Sequence, residues 1–461
     1  MRKRFKVLFV LLFISSLTGQ VVDAEDQYTH IWTAESSIIK IGSEFGYQLT
    51  IDGDYIITCE PHAKVDDIAG GGKIYVYDFE GNLINTLQSP EPGLEDTFGV
   101  AFDVLDGLLI AYECAEINGV PRVGKVHVFK SDGTLQYTIQ PQEIRQAAYF
   151  GNSVAIGEEI LVISESGVEM TPSVSGKVHI YSQDGEFIST ILPPDPIAKG
   201  KFGRTIEVGE GLIFISQYGE PEESLAMGPG YVYVYDYDGI YLMTLEAPEK
   251  EERACFGYSV SISGDKIVIG EYKATVNGVK WAGKAHIYNT EGTYLRTLLS
   301  PNLDTNAWFG KNVAISGDII VVGEPLGNIN PFIEEGRAYV FNADGTLIQS
   351  LTALEPSSQA YFGLDVDIQD DTIVVGECWA EVEGKPKCGR LHVYQLGAPV
   401  KAQDPGEEET PQVSDEPDSE PSGGIPGYPL WSIGIALLLV TVFISRVQKQ
   451  YTHPNHLNYG Y

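Results

Sequence analysis

One dipeptide, Phe-Gly, recurs seven times along the chain at a nearly constant interval. The copies begin at Phe45, Phe98, Phe150, Phe202, Phe256, Phe309 and Phe362, so that successive copies are 52 to 54 residues apart. A period near fifty residues with strand-like content is typical of a β-propeller rather than of a helical solenoid. The chain is therefore predicted to contain seven equivalent units.

The unit that begins at Phe256 shows four strand patterns in succession. FGYSVSI and KAHIYN alternate in polarity, KIVIG is a short apolar run, and TYLRTLL is the fourth segment. Tight turns at Gly264-Asp265 and Glu291-Gly292 join the first two and the last two segments, and a longer loop joins the middle two. Four antiparallel strands make one propeller blade. The repeated Phe is expected to pack between blades, and the Gly to permit a special backbone conformation.

The seventh unit lacks a fourth strand at its own end, because the chain leaves the repeat after LHVYQ. The N-terminal segment HIWTAESSIIKIGSEFG aligns with LINTLQSPEPGLEDTFG one repeat later. We therefore predict that Tyr28 to Ala34 form the outer strand of the last blade and close the ring, which avoids exposed sheet edges. The predicted fold is all-β, a seven-bladed propeller of four-stranded antiparallel blades over residues 27–397.

The two ends of the chain predict export and a membrane anchor. Residues 1–24 have the basic start, apolar run and small terminal residues of a signal peptide. Residues 427–445 form an uncharged apolar run of the length of a transmembrane helix. Arg446 and Lys449 follow it, which predicts a short cytoplasmic tail at 446–461. The acidic, Pro- and Ser-rich residues 398–426 are predicted to be a disordered stalk.

These segments predict a single-pass protein of the cell membrane with its propeller outside, an arrangement that favours a prokaryotic source such as an archaeon. The formal net charge is −34, which argues against nucleic acid or anionic lipid as partners. Five cysteines are few for a disulfide scaffold. Cys378 and Cys388 flank one loop and are predicted to pair in an oxidising exterior, whereas the pairing of Cys59, Cys114 and Cys255 is left open.

The repeat resembles a known family. Phe256-Gly257 is followed by SVSISGD and IVIGE, and Phe309-Gly310 by NVAISGD and VVGEP. These residues resemble the FG-GAP repeat of integrin α-subunit propellers and their prokaryotic relatives. The GAP of that family is replaced here by Gly-Glu, as at Gly323-Glu324. The calcium loops of the family are replaced by short turns that cannot wrap the ion, so no cofactor and no family-type calcium site are expected.

Loop length distinguishes the two faces of the predicted disc. The loops between strands two and three, and from strand four to the next blade, are long and share one face, where binding is expected. Four aromatic residues confined to blades five to seven are predicted on this long-loop face as ligand contacts, with packing between blades as the alternative: Trp281, Trp308, Phe332 and Trp379.

An acidic residue also recurs fifteen positions after each Phe, with Gln217 in the fourth blade. The six acidic members are Glu60, Glu113, Glu165, Glu271, Glu324 and Glu377. They could form a negative collar for a cation or a basic group, but their repetition favours a structural role, because a ligand site usually breaks symmetry. Histidines at 127, 179, 286 and 392 occupy equivalent positions in separate blades, so they are not expected to form a metal cluster.

No nucleophile motif, metal-ligand spacing or phosphate loop is found in the sequence. The sequence therefore favours a non-enzymatic surface protein for binding or adhesion to an extracellular protein or glycan. Two alternatives stay open: a surface polysaccharide hydrolase or lyase that uses carboxylates at the channel mouth, and an envelope scaffold component that binds its neighbours.

Overall fold

The computed structural model describes residues 27–36, 39–169, 175–195, 200–219, 229–328 and 334–397. Within these residues the chain forms seven four-stranded antiparallel sheets. The predicted signal peptide, stalk, transmembrane helix and cytoplasmic tail all lie outside the described residues. Among the residues inside those ranges, no helix has the length and apolar character needed to span a bilayer.

Each sheet is one blade, and the strands follow the four patterns seen in the sequence. Blade 1 contains β2 (Leu49–Asp52), β3 (Tyr55–Glu60), β4 (Lys73–Asp78) and β5 (Leu83–Leu87). Blade 2 contains β6 (Phe102–Leu105), β7 (Leu108–Glu113), β8 (Lys125–Lys130) and β9 (Leu135–Ile139). Blade 3 contains β10 (Phe150–Ile156), β11 (Ile160–Glu169), β12 (Ser175–Ser182) and β13 (Phe187–Ile191). Blade 4 contains β14 (Gly200–Gly209), β15 (Leu212–Gly219), β16 (Tyr231–Asp236) and β17 (Tyr241–Leu245).

The remaining three blades complete the ring. Blade 5 contains β18 (Phe256–Ser263), β19 (Lys266–Glu271), β20 (Lys284–Asn289) and β21 (Tyr294–Leu298). Blade 6 contains β22 (Val313–Ser316), β23 (Ile319–Glu324), β24 (Arg337–Asn342) and β25 (Leu347–Leu351). Blade 7 contains β26 (Phe362–Gln369), β27 (Thr372–Glu377) and β28 (Arg390–Leu396), and its outer strand is β1 (Tyr28–Glu35). The first strands of consecutive blades contact each other all the way round, and β26 contacts β2.

The predicted closure by the N-terminal strand is confirmed. Strand β1 pairs antiparallel with β28, from Tyr28 opposite Leu396 to Glu35 opposite Arg390, with an irregularity after His30. Beyond the paired residues, the Gly397 N–H donates to the carbonyl oxygen of Gln27 at 3.0 Å. The two ends of the propeller therefore meet within one blade.

The core of the propeller lies between adjacent blades, and the repeated Phe is at its centre. Phe309 is fully buried and belongs to one apolar cluster with Ile287 of blade 5 and Val322 of blade 6. The other six Phe residues of the Phe-Gly pairs are also 0% exposed. Burying a Phe side chain stabilises a fold by about 1.5 to 3 kcal/mol, so the repeat places one such contribution at every blade junction.

Hydrogen bonds from side chains to the backbone join the first strands of neighbouring blades. Asp103 accepts from the Ile156 N–H at 2.7 Å, and Ser261 accepts from the Ile315 N–H at 3.2 Å. These bonds satisfy N–H groups at the inner edge of each sheet, where no further strand pairs with them. At the closing junction, Asp367 makes the same bond to the Ile51 N–H at 2.8 Å.

A glycine at the start of each third strand, or just before it, lies against the Phe of the next repeat. Gly283 has φ +89°, and a Cβ there would clash with the carbonyl oxygen of Phe309, whereas Gly278, with φ +82°, has open space around it. Both Gly→Ala variants strain a left-handed backbone, which costs of order 1 kcal/mol. We expect Gly283→Ala to cost about 2 kcal/mol more than Gly278→Ala, because overpacking adds to that strain. Urea unfolding of both variants checks this, and equal midpoints would contradict it.

Candidate functional site

A backbone conformation and a backbone hydrogen bond that recur from blade to blade position side chains of the long-loop face. The residue before the repeated Phe has a positive φ in six of the seven repeats, the exception being Lys201: Glu44, Thr97, Tyr149, Cys255, Trp308 and Tyr361. Its N–H often donates to a loop residue of the preceding blade, as Trp308 does to the Trp281 carbonyl oxygen at 3.2 Å and Tyr149 to that of Arg122 at 3.3 Å. The backbone is thus repeated while the side chains differ from blade to blade.

Aromatic side chains lie close together where blades 4, 5 and 6 meet. The blade 5 aromatic cluster consists of Tyr218, Tyr258, Tyr272, Trp281 and Trp308. The ring centroids of Tyr218 and Tyr258 are 5.5 Å apart, those of Tyr258 and Tyr272 4.4 Å, and those of Tyr272 and Trp308 5.4 Å. Trp281 is 47% exposed and shares Lys273 with Tyr272 and Trp308, whereas Tyr218 and Tyr272 are buried. The cluster therefore leads from the loop surface towards the interior.

Two lysines lie over these rings. The Lys311 Nζ is 3.7 Å from the ring centroid of Tyr258 and 4.5 Å from that of Tyr272, and it donates a hydrogen bond to the Tyr258 hydroxyl. The Lys273 Nζ is 5.6 Å from the ring centroid of Trp281. Cation–π contacts at these distances are favourable. Among the described residues, no carboxylate lies within 4.0 Å of the Lys311 Nζ.

Tyr258 lies at the mouth of the central channel. It is the second residue after Phe256, at the start of the innermost strand of blade 5. The equivalent residue of blade 1, Tyr47, interacts electrostatically with it. Blades 1 and 5 are not neighbours in the ring, so these two side chains approach each other across the axis. The aromatic cluster therefore connects the long-loop face to the channel.

Two cations act on the Tyr258 hydroxyl. Burial alone would raise the pKa of its hydroxyl, but the Lys311 ammonium and the Arg204 guanidinium outweigh burial and lower the pKa. The adjacent Tyr218 has a raised pKa, because its burial outweighs the effect of Arg204. Lys311 and Arg204 therefore both favour the ionised form of the Tyr258 hydroxyl.

The four aromatic residues predicted from the sequence do not form one group in the described structure. Trp281 and Trp308 are brought together. Trp379 has separate neighbours: its ring stacks on Tyr361 with centroids 4.4 Å apart, Lys387 Nζ lies 3.4 Å from its centroid, and its Nε1 donates to Glu44 at 3.1 Å. Phe332 lies outside the described residues.

The six recurring acidic residues and Gln217 are all buried inside the blades, at most 4% exposed. Glu271 accepts from His286 Nε2 at 2.9 Å, and His286 Nδ1 bonds Thr297 Oγ1 at 2.9 Å. Histidines bond the acidic residue in the same way in blades 2, 3 and 7, and tyrosines do so in blades 1 and 6. A carboxylate in this position joins the second and third strands of its own blade and is not presented to a ligand.

A different set of carboxylates lines the central axis. Burial, together with the nearby Asp367 carboxylate, raises the pKa of Asp365 to about 8, and burial raises that of Asp103 to about 7. Glu207, from blade 4, has a pKa raised by burial and then by Asp103 and Asp367, which come from blades 2 and 7. Protonation thus lets acidic residues from non-adjacent blades share one enclosed space. Within the described residues, no three His, Cys, Asp or Glu side chains converge as metal ligands.

The predicted disulfide between Cys378 and Cys388 is not formed in the described structure, where both side chains are thiols. The Cys388 thiol donates to the carbonyl oxygens of Lys385 and Lys40, at 3.2 and 3.4 Å. The Cys378 thiol is fully buried and interacts electrostatically with Glu44 and Cys59. The two thiols face different surroundings, although their positions flank a single loop.

Sequence reasoning missed Tyr218, Tyr258, Tyr272 and the basic residues beside them. Tyr258 and Lys311 are each two positions after a repeated Phe, in neighbouring blades, and equivalent positions of neighbouring blades lie side by side. A comparison of that position across the seven repeats gives Tyr47, Val100, Asn152, Arg204, Tyr258, Lys311 and Leu364. That comparison would have shown a tyrosine flanked by two basic residues.

Three segments of the chain match the FG-GAP repeat family, at residues 242–288, 295–341 and 346–394. No curated protein matches the sequence significantly. The matched segments fall within the last four of the seven repeats, and the other repeats form blades of the same strand order. The chain is therefore a seven-bladed β-propeller that contains FG-GAP repeats.

Proposed function

We propose that this chain is a cell-surface protein for binding or adhesion, which presents the long-loop face of its propeller to an extracellular protein or glycan. The observation that carries the proposal is the blade 5 aromatic cluster. Rings in mutual contact run from Trp308 through Tyr272 to Tyr258. Lys273 links them to the exposed Trp281, because its Nζ is 5.6 Å from the ring centroid of Trp281 and 5.9 Å from that of Trp308.

The cluster breaks the symmetry of the ring. The backbone conformation around Trp281 and Trp308 recurs in other blades. The residues equivalent to Trp281 there are Gly70, Arg122, Glu334 and Lys387. A purely structural role would favour the same side chain at every junction, as for the repeated Phe. Exposed tryptophans backed by buried neighbours commonly dominate the energy of a binding surface. This pattern supports recognition by blades 4 to 6.

The test compares Trp281→Ala with Leu295→Ala in the full-length chain. Both side chains are 47% exposed and both belong to blade 5, but Leu295 is on the outer strand, away from the loop face. On an array of neutral, carboxylated and sulfated glycans and extracellular proteins, Trp281→Ala should weaken binding at least tenfold, consistent with loss of an anchor residue. Leu295→Ala should bind like the parent. Equal binding by all three proteins would refute a role for the cluster.

A second candidate is a surface enzyme that cleaves polysaccharide. One observation favours it: Lys311 donates to the Tyr258 hydroxyl, and the Lys311 and Arg204 charges outweigh burial and lower the pKa of that hydroxyl. The six recurring glutamates cannot serve this role from inside the blades. Release of shortened chains from polygalacturonate, abolished by Tyr258→Phe, would favour the enzyme over the binding protein.

A further inference from the structure

We propose that the occupant of the blade 5 aromatic cluster is a saccharide that carries an anionic group, its ring against Trp281 and its charge at Lys311. This inference rests on the proposed binding function and specifies its ligand class. It depends on three features of the site: its positive charge, its exposed aromatic surface and its contrast with a second lysine–tryptophan pair.

The positive charge at the cluster is local, whereas the net charge of the chain is negative. The protein as a whole carries a formal net charge of −34, so its general surface repels anions. At the channel mouth, by contrast, the Lys311 ammonium lies over the rings of Tyr258, Tyr272 and Trp308. Lys311 also donates to the Tyr258 hydroxyl, and an ammonium has three N–H donors. An anionic group could therefore accept a charge-assisted hydrogen bond from Lys311.

The aromatic surface beside this charge suits a sugar ring. Trp281 is exposed, and Lys273 lies over its ring and, at 5.2 Å, over that of Tyr272. A saccharide has an apolar C–H face that packs on an indole and hydroxyl groups that hydrogen-bond at its edge. A partly buried ring next to an ammonium thus matches a sugar with a carboxylate or sulfate substituent better than it matches an apolar peptide side chain.

The second lysine–tryptophan pair on the loop face lacks this character. Lys387 lies over Trp379, but the indole Nε1 of Trp379 donates to the Glu44 carboxylate at 3.1 Å. That carboxylate places negative charge beside the ring and disfavours an anionic ligand. Lys387→Met is therefore a matched control for Lys311→Met, since each removes one ammonium from one aromatic pair on the same face.

The experiment measures binding of the full-length chain by calorimetry to polygalacturonate, its methyl ester, dextran sulfate and neutral dextran. We expect the parent to bind at least one anionic polymer and to prefer it over its uncharged counterpart by tenfold or more. Lys311→Met should lose about tenfold or more of that affinity, the typical cost of one charge-assisted hydrogen bond. Lys387→Met should bind like the parent, and thermal unfolding establishes that both variants are folded.

The outcomes separate this inference from the proposed function. Preference for polygalacturonate identifies a carboxylate as the anion, and preference for dextran sulfate identifies a sulfate. Equal binding to charged and uncharged polymers, or equal losses in the two lysine variants, overturns the anionic ligand. If no glycan binds but an extracellular protein binds in a Trp281-dependent way, the inference fails and the binding function stands. If Trp281→Ala changes nothing on any probe, both fail.

Discussion

Replacing His286 by alanine should lower the free energy of unfolding by about 3 kcal/mol, because it leaves the Glu271 carboxylate buried without its partner. Glu271 is fully buried, and His286 Nε2 donates to it at 2.9 Å. The other carboxylate oxygen, Oε1, has no hydrogen-bond partner among the described residues. The variant also removes the contact between His286 and Thr297. Urea unfolding of the full-length chain, followed by circular dichroism, measures the loss.

The propeller itself supplies the control for this variant. In blade 1, the Tyr75 hydroxyl donates to Glu60 at 2.6 Å, and in blade 6 Tyr339 donates to Glu324 at 3.2 Å. His286→Tyr should therefore retain a donor for Glu271 and cost about 1 kcal/mol or less, the size of an ordinary hydrogen-bond difference. If the tyrosine variant is as unstable as the alanine variant, pairing of the carboxylate is not what stabilises the blade.

The second large effect is a loss of stability as pH rises. The pKa of Asp365 is raised to about 8 in the folded chain, by burial first and then by Asp367, and an unfolded aspartate titrates near 3.9. Between these values the folded chain holds a proton that the unfolded chain releases, so stability falls with increasing pH by about 1.4 kcal/mol per unit for one such group. Asp365 alone is expected to contribute a loss of ~4 kcal/mol between pH 5 and pH 8.

Asp103, Asp367 and Glu207 face the same axis, and their pKa values are raised as well, so they add to this loss. Asp365→Asn removes the titratable carboxyl group. It keeps an acceptor for the Leu49 N–H, which donates to Asp365 at 2.7 Å. We expect that variant to show a shallower decline from pH 5 to pH 8 than the parent. Asp54→Asn, in an exposed turn, should leave the decline unchanged. Parallel curves for the parent and Asp365→Asn would rule out the channel carboxyl as a source of the effect.

Most of the fold could be predicted from the sequence because the repeat is regular. The Phe-Gly interval gave the number of blades, and the missing fourth strand of the last repeat pointed to the segment that begins at Tyr28. Both predictions depend on backbone pairing and apolar periodicity, which the alignment of repeats displays directly. The confirmed pairing of Tyr28 with Leu396 follows from the same logic.

The candidate site was only partly predictable, because it depends on side-chain directions in loops and on contacts between blades. Trp281 and Trp308 are 27 residues apart in sequence, and one backbone hydrogen bond brings them together. The same sequence argument groups Trp379 with these two residues, but its ring stacks on Tyr361. The Cys378 and Cys388 thiols show the same limit: flanking one loop does not determine which way each side chain points.

The closure of the ring has a mechanical consequence. Blades 1 to 6 are each built from one continuous segment, whereas blade 7 depends on noncovalent pairing between β1 and β28. Gln27 and Gly397 lie at the same end of that antiparallel pair. A pulling force applied between them would therefore break the hydrogen bonds between β1 and β28 one after another. Under such a force, β1 and β28 would separate before the other six blades lose their structure.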